Sequence, residues 1–203
     1  MKLYDYEGFA SPRRVRMFLA EKGIEIPRVR VDVPAGELRS PEYLRKNPDG
    51  VLPLLELDNG DYISETVAIS RYFEENNPQI PLMGTTTKEK VMIEMWQRRV
   101  ENSLTNTVAT YFHHATEGLG EPDRYRNKEW GEKNKEKAIS AMKQLNSQLA
   151  ENKFVAGDTF SIADITALCA IDFAVDVNIP VPDEYYHLKR WHSEVSQRQS
   201  AAA

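Results

Sequence analysis

The segment GVLPLLELDNGDYISET, residues 50–66, carries the signals that decide the fold of the first part of this chain. Its apolar positions predict two short strands, at 52–57 and 62–63. Asn59-Gly60 between them is a strong signal for an antiparallel hairpin. Pro53 cannot donate a hydrogen bond to a central ladder, so it indicates an edge strand, a bulge or a cis peptide.

Strands and helices alternate before this hairpin, and a helix follows it. Helical spacing of apolar residues, a proline near a helix start and glycine after a helix end place the elements. The predicted order is β-α-β-α-β-β-α, with strands at 2–6 and 28–33, helices at 12–22 and 41–44, the hairpin, and a helix at 65–75.

The second part of the chain changes character. Residues 78–87 are poor in helix formers and predict a linker. After them, periodic segments predict helices at 88–117, 127–151, 162–177 and 184–196. We therefore expect an α/β domain at 1–77, the linker at 78–87, and an all-helical domain at 88–203.

Composition limits the classes of partner. The net charge is -5, which argues against nucleic acid because binding a phosphate backbone depends on Lys and Arg. No apolar run reaches the ~18 residues that a membrane helix needs, and no apolar signal segment is expected at the N-terminus. The one cysteine, Cys169, excludes an internal disulfide and a cysteine-based metal cluster. It lies in an apolar run and is read as a buried hydrophobe, so we expect a reducing cytoplasm and no metal.

Two backbone features near the hairpin could hold a ligand. With Gly50-Val51 before Pro53, the N–H and C=O of Leu52 could remain open to an extended peptide, although a plain turn proline is the competing interpretation. Glu65-Thr66 begins a helix, whose free N–H groups and dipole favour an anion. Glu65 could pair with an ammonium group, so the α-amino acid end of a γ-glutamyl peptide would suit this corner. A simple N-cap is the alternative.

The helical part offers one candidate for proton transfer and one structural acid. His113 shares a helix face with Asn106, Ala109 and Thr110 and could accept a proton directly or through water. The competing interpretation is an exposed histidine without a role. Asp164 closes a capping box with Ser161 and is predicted to be structural.

Taken together, these segments resemble the glutathione S-transferase family over essentially the whole chain. The motifs that carry the resemblance keep the order and spacing of the family, and they lie at 11–16, 47–55, 64–72 and 154–164. The resemblance implies a thioredoxin-like N-terminal domain, an all-α C-terminal domain that binds a hydrophobic electrophile, and a homodimer.

The resemblance also implies a glutathione site. Pro53 would be a cis-proline, and Leu52 would pair through its backbone with the cysteinyl unit. Glu65 and Thr66 would hold the γ-glutamyl end. Arg39 or Lys46 would meet the glycyl carboxylate, and Val51 is a further expected glutathione contact.

Most members of the family present a Tyr, Ser or Cys near the start of the first helix. Alignment on the segment 14–16 places Phe9 or Ala10 there; Tyr6 comes too early and Ser11 about one residue late. The segments 111–120 and 127–131 resemble an atypical yeast and bacterial subgroup that leaves thiol activation to the N-terminus of the first helix. A small Ala10 would let the thiolate approach the helix N–H groups, and the Ser11 hydroxyl is the direct competitor.

In that subgroup a water is held by a Ser and a His from the helical domain. His113 or His114 would be that His. Ala109 stands where the Ser is expected, and Thr110 or Asn106 could substitute for it. The catalytic candidates are therefore Ser11, Ala10 and His113.

The expected function is conjugation of the glutathione thiolate to a hydrophobic electrophile, bound by the helical half and by loops such as Ala115 to Pro122. The alternative is a non-catalytic binding or interaction protein with the same fold, which the missing catalytic side chain favours. Thioredoxin-type redox exchange would need a cysteine near the first helix, and the chain has none there.

Overall fold

The structure, a computed structural model, describes residues 1–120, 123 and 125–203. Packing divides the chain into two compact units. The first contains Met1–Pro81 together with Gln199–Ala203, and the second contains Leu82–Arg198. The return of the C-terminal residues to the first unit was not expected from the sequence.

The first unit contains a mixed sheet with helices. Within the described residues its four strands have the order β2-β1-β3-β4, with β1 parallel to β2 and β3 antiparallel to both of its neighbours. This arrangement confirms the predicted α/β fold. The strands are β1 (Lys2–Asp5), β2 (Arg28–Arg30), β3 (Leu54–Glu56) and β4 (Tyr62–Ser64), and the helices are α1 (Ala10–Glu21), α2 (Pro41–Lys46) and α3 (Thr66–Asn76).

The strand register brings three chain segments together at one edge of the sheet, the edge that is formed by strand ends rather than by an outer strand. Tyr4 lies opposite Leu54, and Leu54 lies opposite Ser64. Because both pairings are antiparallel, the end of β1, the start of β3 and the end of β4 meet at the same edge. The β1–α1 loop, the Leu52-Pro53 peptide and the start of α3 are therefore neighbours.

Most element boundaries in this unit differ from the sequence prediction by one to three residues; β2, for example, ends at Arg30 rather than at Val33. The starts of α1 and β3 have identifiable causes. Helix α1 begins at Ala10 rather than at Pro12, because the extended residue Phe9 precedes it directly. Pro12 occupies the first turn, where the missing N–H costs no intrahelical bond. Strand β3 begins at Leu54 rather than at Leu52, since the ladder starts only after the proline that cannot donate to it.

The C-terminal residues brace helix α1. The Arg13 guanidinium donates a hydrogen bond to the carbonyl of Ala201 at 2.9 Å, and the Ser200 hydroxyl bonds to Glu21. Ser200 is buried. Contacts therefore join residues at the two ends of the chain.

The second unit is helical, as predicted. Its elements are α4 (Thr87–Val100), a π-helical turn (Glu101–Thr105), α5 (Asn106–Ala115), α6 (Lys128–Glu151), α7 (Ile162–Asp176) and α8 (Tyr186–Ser196). Helix α7 is buried along most of its length and forms the centre of the unit. Among the described residues, no helix is both long enough and apolar enough to cross a bilayer.

The single helix expected at 88–117 is interrupted by the π-helical turn. Side-chain hydroxyls donate to backbone carbonyls here: Ser103 bonds to the carbonyl of Arg99 at 2.5 Å, and Thr107 to that of Ser103 at 2.7 Å. Such back-bonding competes with the regular ladder and bends helices. The apolar periodicity of the sequence does not report this effect.

The capping box predicted at Ser161 and Asp164 is confirmed. The fully buried Asp164 carboxylate accepts hydrogen bonds from the Val155 N–H at 2.9 Å, the Ser161 N–H at 3.0 Å and the Trp191 indole at 2.8 Å. It thus joins the start of α7 to the preceding loop and to α8. Burial raises the pKa of the Asp164 carboxyl to about 6, against the lowering effect of its Val155, Trp191 and Ser161 donors.

This raised pKa predicts a pH dependence of stability. Because the ordinary pKa is 3.8, the folded chain binds more protons at Asp164 than the unfolded chain between these two values. Its contribution to the free energy of unfolding should therefore fall by about 1 kcal/mol from about pH 5 to about pH 7. Urea unfolding across this range should show that loss in the wild type and not in Asp164→Asn. Equal pH slopes in the two proteins would contradict the prediction.

Candidate functional site

The Leu52-Pro53 peptide bond is cis, and it lies at the sheet edge where the three segments meet. The Leu52 side chain is buried in a cluster with Tyr4, Tyr43 and Leu54. Across the described part of the chain, neither the N–H nor the C=O of Leu52 has a backbone hydrogen-bond partner. A buried side chain therefore fixes a backbone segment that remains open for pairing.

The loop before Leu52 is held by side chains around it. The carbonyl of Val51 accepts hydrogen bonds from the Tyr43 hydroxyl at 2.8 Å and the Asn47 amide at 2.9 Å. The Arg39 guanidinium donates to the carbonyl of Gly50 at 2.8 Å. Gly50 has φ 61°, and a Cβ atom there would lie 2.7 Å from the backbone carbonyl oxygen of Leu38, so this position favours glycine.

The two candidates for a carboxylate contact differ in their surroundings. Arg39 is exposed and sits on the Gly50 loop, directly before Val51 and Leu52. The Lys46 ammonium instead bonds to Glu42 at 3.1 Å and lies over the Tyr4 ring. Both side chains have partners within the protein, and Arg39 is the more exposed of the two.

Glu65 has a backbone conformation that is unusual for a residue with a side chain. Its φ is 70° and its ψ is 123°, directly before the first residue of α3. Such a conformation costs about 1–3 kcal/mol and is concentrated at functional sites. The Glu65 side chain is exposed and makes no capping hydrogen bond to α3, while Thr66 behind it is buried. A simple N-cap does not account for this carboxylate.

The N-terminus of α1 offers free donors at the same edge. The N–H of Arg13 bonds to the carbonyl of Phe9 at 3.3 Å, and Pro12 has no N–H. The N–H groups of Ala10 and Ser11 are thus the donors of the first turn that remain for a ligand. Ala10 and Ser11 are both partly exposed.

A buried ion pair holds this end of α1 against the sheet, and the sequence analysis missed it. Arg16 Nη1 lies 2.7 Å from a carboxylate oxygen of Asp5, and both side chains are almost fully buried. Arg28 approaches the same carboxylate at 3.5 Å. Asp5 at the end of a buried strand is the signal that could have shown it, since buried charges are paired.

His113 belongs to the second unit and is paired with Asp123, a residue that the sequence analysis did not single out. The His113 Nδ1 lies 2.8 Å from Asp123 Oδ2, and the same oxygen accepts the Leu119 N–H at 2.7 Å. Burial acts to raise the pKa of the Asp123 carboxyl, but the Leu119 N–H and His113 together hold it below its usual range. A loop separates the two residues, so helical periodicity could not connect them.

The other histidine and the possible substitutes for the missing serine are engaged differently. His114 Nδ1 accepts the N–H of Asn127 at 3.1 Å. The Thr110 hydroxyl donates to the carbonyl of Asn106 at 2.7 Å, within its own helix. Within the described part of the chain, His113 is the one of these two histidines that is paired with a carboxylate. The predicted loop from Ala115 to Pro122 ends outside the described residues.

A groove of about 370 Å³ lies between the start of α5 and α6. Polar side chains dominate its lining, among them Asn102, Asn106, Asn134 and Lys137. Its polarity does not suit the hydrophobic electrophile expected from the sequence. Among residues 1–120, 123 and 125–203, no group of three or more His, Cys, Asp or Glu side chains could hold a metal ion.

Comparison with family models matches both parts of the chain. The model of the glutathione S-transferase N-terminal domain matches residues 10–76, and that of the glutathione S-transferase C-terminal domain matches residues 103–199. The chain belongs to the glutathione S-transferase family. The resemblance inferred from the sequence motifs is thereby confirmed.

The chain is similar to yeast and bacterial members of this family along nearly its whole length. It is 42% identical to glutathione S-transferase 2 of Saccharomyces cerevisiae, over 98% of this chain and 87% of that protein. The crystal structure of Gtt2 from the same yeast has a TM-score of 0.96 at 41% identity, covering 100% of this chain and 99% of that one. A glutathione S-transferase domain-containing protein of Marinobacter aquaeolei VT8 also gives 0.96, at 44% identity and with 98% and 99% covered.

Proposed function

We propose that this glutathione S-transferase binds glutathione at the sheet edge and transfers its thiolate to a hydrophobic electrophile. The observation that carries the proposal is the backbone of Leu52, for which the described residues offer no backbone hydrogen-bond partner. Leu52 precedes a cis-proline, and the pairing of β3 with β4 brings this segment close to the start of α3. An extended segment whose backbone N–H and C=O groups are unpaired can recognise an extended peptide backbone, and a free helix N-terminus can recognise a carboxylate. Glutathione contains both groups.

Each part of glutathione has a proposed partner. The cysteinyl N–H and C=O would pair with the backbone of Leu52, as an added strand does. The γ-glutamyl carboxylate would bind the free N–H groups of α3 and the Thr66 hydroxyl, and its ammonium group would pair with Glu65. The glycyl carboxylate would meet Arg39, beside the loop that ends in Val51.

The thiol is proposed to ionise at the N-terminus of α1. A free thiol with a pKa of about 8.5 is mostly protonated at neutral pH, and helix N-termini lower thiol pKa values. The N–H groups of Ala10 and Ser11 are the available donors, and the small Ala10 side chain allows close approach. Each unit of pKa lowering requires about 1.4 kcal/mol of preferential thiolate binding, which two N–H donors and the helix dipole can supply.

His113 is proposed as the acceptor of the thiol proton, directly or through water. The supporting observation is its pairing with Asp123, which leaves one ring nitrogen to accept. The proposal also includes a reducing compartment such as the cytoplasm, because the nucleophile is a free thiol. Assembly as a homodimer follows from the family resemblance, and sedimentation equilibrium tests it directly.

The deciding experiment is an ultraviolet titration of the glutathione thiolate on the purified protein as a function of pH. We expect the pKa of the bound thiol to be at least about one unit below the free value. In Ser11→Ala the lowered pKa of the bound thiol should persist if the backbone N–H groups stabilise the thiolate. It should return to the free value if the Ser11 hydroxyl is the stabilising donor.

The same titration distinguishes the alternative function. Tight binding of glutathione with an unshifted thiol would contradict catalysis and favour a non-catalytic binding protein. Absence of binding would overturn the glutathione site itself. Conjugation of an activated aryl halide, followed by absorbance, then tests whether the thiolate is transferred.

A further inference from the structure

We propose that Asp123 is a positioning residue, which fixes the tautomer and orientation of His113 so that the Nε2 atom can accept a proton. The inference rests on the proposed role of His113 in thiol activation. Asp123 lies outside every motif that identifies the family in this sequence, and the geometry of its loop points to it.

The contact between the two side chains determines which ring nitrogen carries the proton. His113 Nδ1 is 2.8 Å from Asp123 Oδ2, a hydrogen-bond distance. An ionised carboxylate only accepts hydrogen bonds, so the neutral imidazole must carry its proton on Nδ1. Nε2 then has a free lone pair, and the ring is held in one orientation.

The loop is shaped to hold the carboxylate in place. The Leu119 N–H donates to the same Oδ2 atom at 2.7 Å, and the Arg126 guanidinium donates to the Asp123 carbonyl at 3.2 Å. Gly118 allows this approach: its φ is 56°, and a Cβ atom there would lie 2.2 Å from Asp123 Oδ2. Backbone and side-chain groups therefore fix Asp123 independently of His113.

The electrostatics of the loop keep Asp123 ionised. Burial acts to raise the pKa of its carboxyl, but the Leu119 N–H, His113 and the charge of Arg126 together lower it. Asp123 therefore accepts a hydrogen bond and does not take the transferred proton. It also stabilises the imidazolium that forms when His113 accepts a proton, as an aspartate does in the Ser-His-Asp arrangement.

A second histidine–aspartate pair in the same unit provides a matched control. His192 Nε2 lies 2.6 Å from Asp172 Oδ1, so here the carboxylate contacts the other ring nitrogen. This pair joins α7 and α8 and has no proposed part in the reaction. Asp172→Asn therefore makes the same chemical change as Asp123→Asn at a site outside the reaction.

The first measurement is the tautomer of His113 in the free protein, from nitrogen-15 NMR of the imidazole rings. The chain has 4 histidines, and comparison with His113→Gln assigns the signal. We expect the Nδ1–H form in the wild type and a shift toward Nε2–H in Asp123→Asn. An unchanged tautomer in Asp123→Asn would overturn the proposal, whether or not the protein uses glutathione.

The second measurement is steady-state conjugation. We expect Asp123→Asn to lower kcat by about 10- to 100-fold with little change in the KM for glutathione, because a wrong tautomer impairs proton transfer and not binding. Gly118→Ala, which displaces the Asp123 carboxylate without removing its charge, should also lower kcat. Asp172→Asn should leave kcat within about twofold of the wild type, and Asp123→Asn should add little to His113→Ala, since both act on one step.

The remaining outcomes separate the two proposals. If His113→Ala is impaired and Asp123→Asn is fully active, the positioning role is wrong and the role of His113 stands. If His113→Ala is fully active, the thiol loses its proton without His113 and the positioning role in catalysis is wrong. If the wild type does not bind glutathione, the proposed function fails, while the tautomer still decides whether Asp123 orients His113.

Discussion

Replacement of Glu65 by alanine should weaken glutathione binding by about 50-fold, the loss expected for one charge-assisted hydrogen bond to the γ-glutamyl ammonium group. Alanine keeps the Cβ atom, so the backbone conformation at φ 70° remains as strained as in the wild type. The change therefore removes the carboxylate and little else. Isothermal titration calorimetry with glutathione measures the affinity.

Two further variants make this result specific. Glu75→Ala removes an exposed carboxylate from the other end of α3, and its affinity should stay within about twofold of the wild type. Glu65→Gln keeps a hydrogen-bond acceptor without the charge, so its affinity for glutathione should lie between those of Glu65→Ala and the wild type. Wild-type affinity in Glu65→Ala would show that the γ-glutamyl group binds elsewhere.

Replacement of Asp164 by alanine should lower the free energy of unfolding by about 4 kcal/mol. The Val155 N–H, the Ser161 N–H and the Trp191 indole would lose the common acceptor to which they donate in the buried interior. Each buried donor left without a partner costs about 1–3 kcal/mol. Urea unfolding at neutral pH, followed by circular dichroism, measures the loss.

Variants that remove one donor at a time keep this prediction testable if Asp164→Ala does not fold. Trp191→Phe should cost about 2 kcal/mol, through the lost hydrogen bond and part of the packed ring volume. Ser161→Ala removes one hydroxyl and should cost about 1 kcal/mol. A loss below about 1 kcal/mol in Asp164→Ala would mean that water or a rearranged loop replaces the carboxylate.

Local signals predicted most of the first unit. Asn59-Gly60 specified the hairpin, and alternating apolar residues specified the strands around it. In the structure, the register of this hairpin brings the segment before β3 close to the start of α3, so the two backbone features that the sequence singled out are neighbours. Element ends were less accurate where one backbone conformation decided them, as at Phe9 before α1.

Long-range pairings were not predictable in this way. The contact between His113 and Asp123 spans a loop, and that between Asp5 and Arg16 joins a strand to a helix. Periodicity reports which face of an element is apolar and does not report which charges meet. The π-helical turn was also not predicted, because the apolar residues keep their helical spacing through it.

The contact of Arg13 with Ala201 makes the second unit an insertion within the first. If Leu82–Arg198 unfolded, the segment would become a long flexible connection, and holding Gln199–Ala203 against α1 would carry the entropy cost of closing that loop. Order in the helical unit thereby increases the effective concentration of its own C-terminal tail at α1. The stability of the helices and the position of the C-terminal residues on α1, the helix at whose N-terminus the thiol is proposed to ionise, are thus thermodynamically linked through chain connectivity.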